Sequence, residues 1–134
     1  MLKYIKSFGG REKYKSMKFK KDITTDCVAR SISIAMDQDY QTTFVDLAML
    51  SARLLEVPNS EKCYEVYLES KGWVKNKPMR NSHGKLLKLG QYPKTGTYLV
   101  SMSGHLSVVK EGIVYDVGDT RYGAAYSYYT KGEK

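Results

Sequence analysis

Apolar positions recur with two different periods along the 134 residues. Val28, Ile32, Ala35 and Met36 keep helical spacing, which predicts a largely buried helix over 25–36. Thr24 or Thr25 would cap it, with Asp26 in its first turn. A second helix is expected over 43–55, striped by Phe44, Leu47, Ala48, Leu54 and Leu55. "VPNS" ends it and offers Ser60 as the cap of a third helix over 60–70, which turns Cys63, Tyr64, Tyr67 and Leu68 inward and stops at Gly72. Residues 75–96 read as loop, with one short helical turn over 85–89.

From Gly96 the period drops to two. "TYLVSMS", "HLSVVK", "IVYDV" and, near the end, "AAYSYYT" are short, β-branched or aromatic, and most are bounded by glycine. Helices followed by antiparallel strands make an α+β domain. The length suits one domain with one core, and no internal repeat is present.

The strand pattern brings candidate chemistry together. With Glu111 and Gly112 as a two-residue turn, Lys110 pairs with Ile113 and Ser107 faces Asp116. His105 shares a face with Ser107, so His105 and Asp116 become diagonal neighbours, a carboxylate placed to orient an imidazole. Cys27 opens the first helix, where the helix dipole favours a thiolate. A thiol, an imidazole and a carboxylate are the nucleophile, base and orienter of covalent catalysis.

Charge divides the chain unevenly. Residues 1–22 hold eight basic side chains against two acidic ones, whereas the remaining 112 residues hold fourteen against twelve. We therefore expect a basic N-terminal arm over 1–21 and a single domain over 22–134. Lys13, Lys15, Lys18 and Lys20, interleaved with aromatic residues, make the arm a candidate anion-binding segment for nucleic acid. The plainer reading is a solvated segment pinned to the body by its aromatics. No apolar run approaches the ~20 residues of a membrane span, and no signal-peptide core is evident. The expected setting is cytoplasmic, with both cysteines reduced.

The stretches "DCVARSI" (26–32), "GTYLVSMSGHLSVVKEGIVYD" (96–116) and, more loosely, "YLESKGW" (67–73) resemble the papain-like cysteine peptidase fold in its small form. The chain is most similar to bacteriocin-leader peptidases and their phage- and plasmid-encoded relatives. The resemblance covers about residues 22–120 and rests on the ordered Cys, His and Asp with a hairpin between the last two. It implies Cys27 as nucleophile, His105 as general base and Asp116 as orienter, acting on a peptide or protein substrate without metal or cofactor. One departure stands out. Papain-like enzymes carry a glutamine shortly before the cysteine, and here the first glutamine is Gln38. The Cys27 backbone N–H, with Lys21, Thr24 or Thr25, is left to serve the oxyanion.

Other readings assign these residues differently. Cys27 as a packed thiol and His105 as a satisfied strand histidine would leave a non-catalytic binding protein, such as a phage or mobile-element factor engaging a host component. Asp119 competes with Asp116 for the orienting role. Cys63 and Trp73 are expected in the core and His83 in an exposed turn. A zinc site from Cys27, Cys63, His83 and His105 lacks paired ligand spacing.

Overall fold

The computed structural model describes residues 1–13 and 26–132, which form a mixed α+β fold. Strand β1 (Lys3–Lys6) precedes three helices, α1 (Cys27–Met36), α2 (Tyr40–Leu54) and α3 (Glu61–Ser70). Strands β2 (Trp73–Asn76), β3 (Thr97–Met102), β4 (His105–Lys110), β5 (Ile113–Asp116) and β6 (Ser127–Lys131) follow. They make one six-stranded sheet in the order β1-β5-β4-β3-β6-β2. The β1–β5 pairing is parallel and the other four are antiparallel.

Alternation along the strands feeds two cores. Leu99, Leu106, Val108 and Tyr129 pack with Val28, Ile32, Leu47 and Leu68 of the helices. Val100, Val109 and Val114 turn the other way, onto Leu2, Leu89, Tyr92 and Ala125. Helix α1 is buried from Cys27 through Ser33, so it runs through the centre of the molecule.

Several boundaries differ from expectation. Asp26, not a threonine, is the α1 N-cap residue, and its carboxylate serves Arg11, Arg30 and Tyr40 instead of the helix end. Helix α2 begins at Tyr40 because Asp39 caps it through the Thr42 N–H. Its buried residues are Tyr40, Thr43 and Leu47, while Phe44, Leu54 and Leu55 are exposed. The first two residues of the loop expected over 75–96, Lys75 and Asn76, instead end strand β2, which pairs with β6. The short turn falls at Leu89–Gln91 rather than over 85–89.

The expected N-terminal arm needs the largest correction. Residues 3–6 are a strand of the sheet, Leu2 is buried, and the Tyr4 hydroxyl donates to the Asp116 carbonyl. Two glycines then turn the chain back onto the start of α1. Gly9 has φ +68°, and a Cβ there would lie 2.8 Å from the Arg30 Cα. Part of the basic charge in this stretch has structural use: Lys3 and Lys6 sit on a sheet edge, where charge discourages further pairing. Arg11 pairs with Asp26 at 2.8 Å.

Candidate active site

Three element ends converge. Cys27 is the first residue of α1, His105 the first of β4 and Asp116 the last of β5. The turn that sets their register is the expected one: Glu111 and Gly112 have φ of 49° and 80°, and Lys110 pairs with Ile113. Positive φ at both central residues matches the right-handed twist of the flanking strands. His105 follows directly on a second tight turn, since Met102 pairs with His105 across Ser103 and Gly104.

His105 Nε2 lies 2.7 Å from Asp116 Oδ2. That carboxylate oxygen also accepts from Ser107 Oγ at 2.7 Å and Thr120 Oγ1 at 3.1 Å, while Oδ1 accepts from the Val117 N–H at 2.8 Å. Burial works against the Asp116 charge, but His105, Ser107 and Val117 hold its carboxyl below the ordinary value. With Nε2 engaged, Nδ1 is the ring nitrogen left to serve Cys27, the thiol that acts with Asp116 on the imidazole's titration. The hydrogen bonds to Asp116 and then to Cys27 raise His105 to about 9, against the opposing effect of burial.

Burial alone would raise the Cys27 thiol. Hydrogen bonds from His105 and the Leu106 backbone, with the charges of His105 and Arg30, outweigh it and bring the thiol below its ordinary value. The thiolate–imidazolium form is thereby favoured, as a nucleophile requires. Cys63 differs: it is fully buried on α3, and burial pushes its thiol up.

Cys27 and His105 line a common cavity of about 230 Å³ with Val28, Asn59, Tyr64, Ser101 and Gly104. For the oxyanion, the Cys27 N–H is uncommitted within the helix, because the first intrahelical bond runs from the Arg30 N–H to the Asp26 carbonyl. Lys21, Thr24 and Thr25 lie outside the described residues, as do Lys15, Lys18 and Lys20. Gln38 is engaged elsewhere, donating to Thr43 Oγ1 and the Tyr67 hydroxyl. Tyr64, expected only as core, brings a hydroxyl to this cavity 3.3 Å from Ser101 Oγ. Burial raises its phenol, so it remains a protonated donor.

Asp119 stands apart from this cluster, in a two-bond pairing with Arg121 at 2.7 and 2.8 Å. Lys13 lies 3.9 Å from Asp39. His83 is exposed, and no group of three metal-ligating side chains occurs among the described residues. No described helix is long and apolar enough to cross a membrane. No family model, curated protein or solved structure matches the chain.

Arg30 carried no expected role beyond its place in "DCVAR". It is buried, pairs with Asp26 at 3.0 Å, and brings Nη2 to 3.8 Å from Asp116 Oδ1. A buried arginine shared by two carboxylates has no signature in a helix pattern, where arginine ordinarily reads as solvent-facing.

Proposed function

We propose that this protein is a small papain-like cysteine hydrolase, of peptidase or isopeptidase type, acting on an amide or thioester bond of a peptide or protein. The observation that carries the reading is the His105–Asp116 contact at 2.7 Å beside a cavity that also holds the Cys27 thiol. The Cys27 thiolate attacks the acyl carbon, and a carbon–sulfur bond forms as charge moves to the carbonyl oxygen. The Cys27 N–H and a protonated Tyr64 are the donors for that oxygen. His105 gives its proton to the leaving group, whose bond to the acyl carbon breaks. Water then attacks the thioester, His105 takes a proton from it, and the acid and free thiolate are restored. Asp116 holds the imidazole in orientation throughout.

A second reading, a binding protein on the same fold, draws on the absence of a glutamine before Cys27. Removing one oxyanion donor typically costs about 10²–10³ in turnover. Screening peptide and thioester libraries by mass spectrometry separates the two. The hydrolase reading expects an acyl adduct on Cys27 and turnover that C27A and H105A abolish. D116N should lower turnover less than either, and D119N should leave it nearly unchanged. Full biological activity of C27A in the native host would establish the binding reading instead.

A further inference from the structure

Arg30 is set where the proposed reaction has an electrostatic problem. In the resting site Asp116 faces the His105 imidazolium from β4, Arg30 from α1 and the Tyr4 hydroxyl, which donates to its carbonyl, from β1. Once His105 has protonated the leaving group, the imidazole is neutral and Cys27 is an uncharged thioester. The buried carboxylate then keeps its charge without its nearest cation, an unfavourable arrangement unless another positive group compensates. Arg30 Nη2 is buried without a hydrogen-bond partner among the described residues and stands 3.8 Å from Asp116 Oδ1. That distance is about 1 Å longer than a charge-assisted hydrogen bond.

We propose that Arg30 is a positioning residue that acts as the reserve counter-charge of Asp116, closing on the carboxylate when His105 releases its proton. The inference rests on the hydrolase reading of the site. It explains the spacing Asp-Cys-x-x-Arg. Asp26, four residues before Arg30 in the chain, holds the guanidinium at 3.0 Å, and Asp26 is itself steadied by Arg11 and the Tyr40 hydroxyl at 2.8 Å each. Arg30 is thus shared between two carboxylates, one fixed and one whose partner changes during the cycle. Neither bond making nor bond breaking involves it. Its effect is to let Asp116 stay ionised while His105 acts as an acid.

The test compares R30Q, which removes the charge, with R30K, which keeps it, and D26N, which releases Arg30 towards Asp116. Iodoacetamide alkylation of Cys27 is followed against pH, where the ion pair forms in a lower step and His105 deprotonates in an upper one. R30Q should move both steps up by about half a unit or more, because a cation near both groups is gone. R30K should leave them in place, and D26N should move them down. A poor amine leaving group needs the His105 proton more than a thiol does, so R30Q should lower kcat/KM for an amide about 10-fold further than for the matching thioester. A folded R30Q with both steps and the amide-to-thioester ratio unmoved overturns the proposal. If R30Q does not fold, D26N decides: an upper step that stays or rises overturns it. Wild-type protein without preferential Cys27 alkylation would defeat the hydrolase reading itself, a separate outcome.

Discussion

The Ser31 hydroxyl donates to the Leu106 carbonyl at 2.9 Å, tying the helix one turn past Cys27 to the strand one residue past His105. The Leu106 backbone also acts on the Cys27 thiol, lowering it. One peptide neighbourhood therefore fixes both nucleophile and base, and Ser31 is buried where water cannot replace its bond. S31A should cost about 1 kcal/mol in urea unfolding, the net value of one buried hydrogen bond with its acceptor left unmet. Turnover should fall further than stability does, because a small displacement of the thiol spoils its alignment with the imidazole. Equal turnover by S31A and wild type would show that packing of α1 suffices.

The two cysteines make an internal control for thiolate chemistry. His105, Leu106 and Arg30 lower Cys27 against its burial, whereas burial raises Cys63. Iodoacetamide at mildly acidic pH should label Cys27 in the folded protein and spare Cys63, with peptide mapping as the readout. H105A should remove most of the preference while leaving both thiols present. Labelling of both cysteines at one rate, or of neither before denaturation, would rule out an activated Cys27.

Much of this site is legible in the chain because it rests on local rules. A two-residue turn with glycine fixes a hairpin register, and the register alone makes His105 and Asp116 neighbours. Helix α1 declares itself through Val28 and Ile32. What sequence reading missed depends on long-range partners. Strand β1 is short, basic and parallel to β5, and its pairing lies across more than a hundred residues. Strand β2 has only four residues, with one fully inward side chain, Trp73. The buried pairing of Arg30 with two carboxylates becomes visible only when α1 is set against β5.

Proton linkage within the site yields an unusual pH dependence of stability. His105 is raised from 6.5 to about 9, so its contribution is complete below pH 6.5 and is lost as pH climbs through about 9. Cys27 is lowered from 9.0, so its contribution is complete above pH 9.0 and is lost as pH falls through the lowered value. Between the lowered Cys27 value and about pH 9 the folded pair, as thiolate and imidazolium, binds one proton, as does the unfolded pair as thiol and imidazole above pH 6.5. The pair should therefore leave wild-type stability nearly flat over that window. C27A removes the cysteine term and leaves His105 raised by Asp116 alone. Its urea midpoint should fall with rising pH over the same window, by on the order of 1 kcal/mol in unfolding free energy. D116N in the same background should flatten the decline, since it removes the largest cause of the rise at His105, the hydrogen bond to the Asp116 carboxylate. A C27A profile parallel to wild type would mean that His105 is not raised.

The first ten residues should prove structural. Their removal takes away the β1–β5 ladder, the buried Leu2 and the Tyr4 hydroxyl bond to Asp116. Burial of a leucine side chain alone is worth about 2 kcal/mol, so deletion of residues 1–10 should lower the urea midpoint clearly. The loss should reach the site as well, because β5 carries Asp116 and becomes an unpaired edge. G9A isolates one contact without shortening the chain. Position 9 has φ +68°, and an added Cβ would sit 2.8 Å from the Arg30 Cα, against helix backbone that cannot yield as a side chain would. Strain and clash together should cost about 1–3 kcal/mol. Because Arg30 is the residue displaced, G9A should also disturb the alkylation profile of Cys27, whereas G84A, at a glycine with φ +76° and open space for a Cβ, should cost stability alone. Should the shortened chain keep the full midpoint and an unchanged Cys27 profile, the segment is an appendage, and its lysines become free to serve an anionic partner.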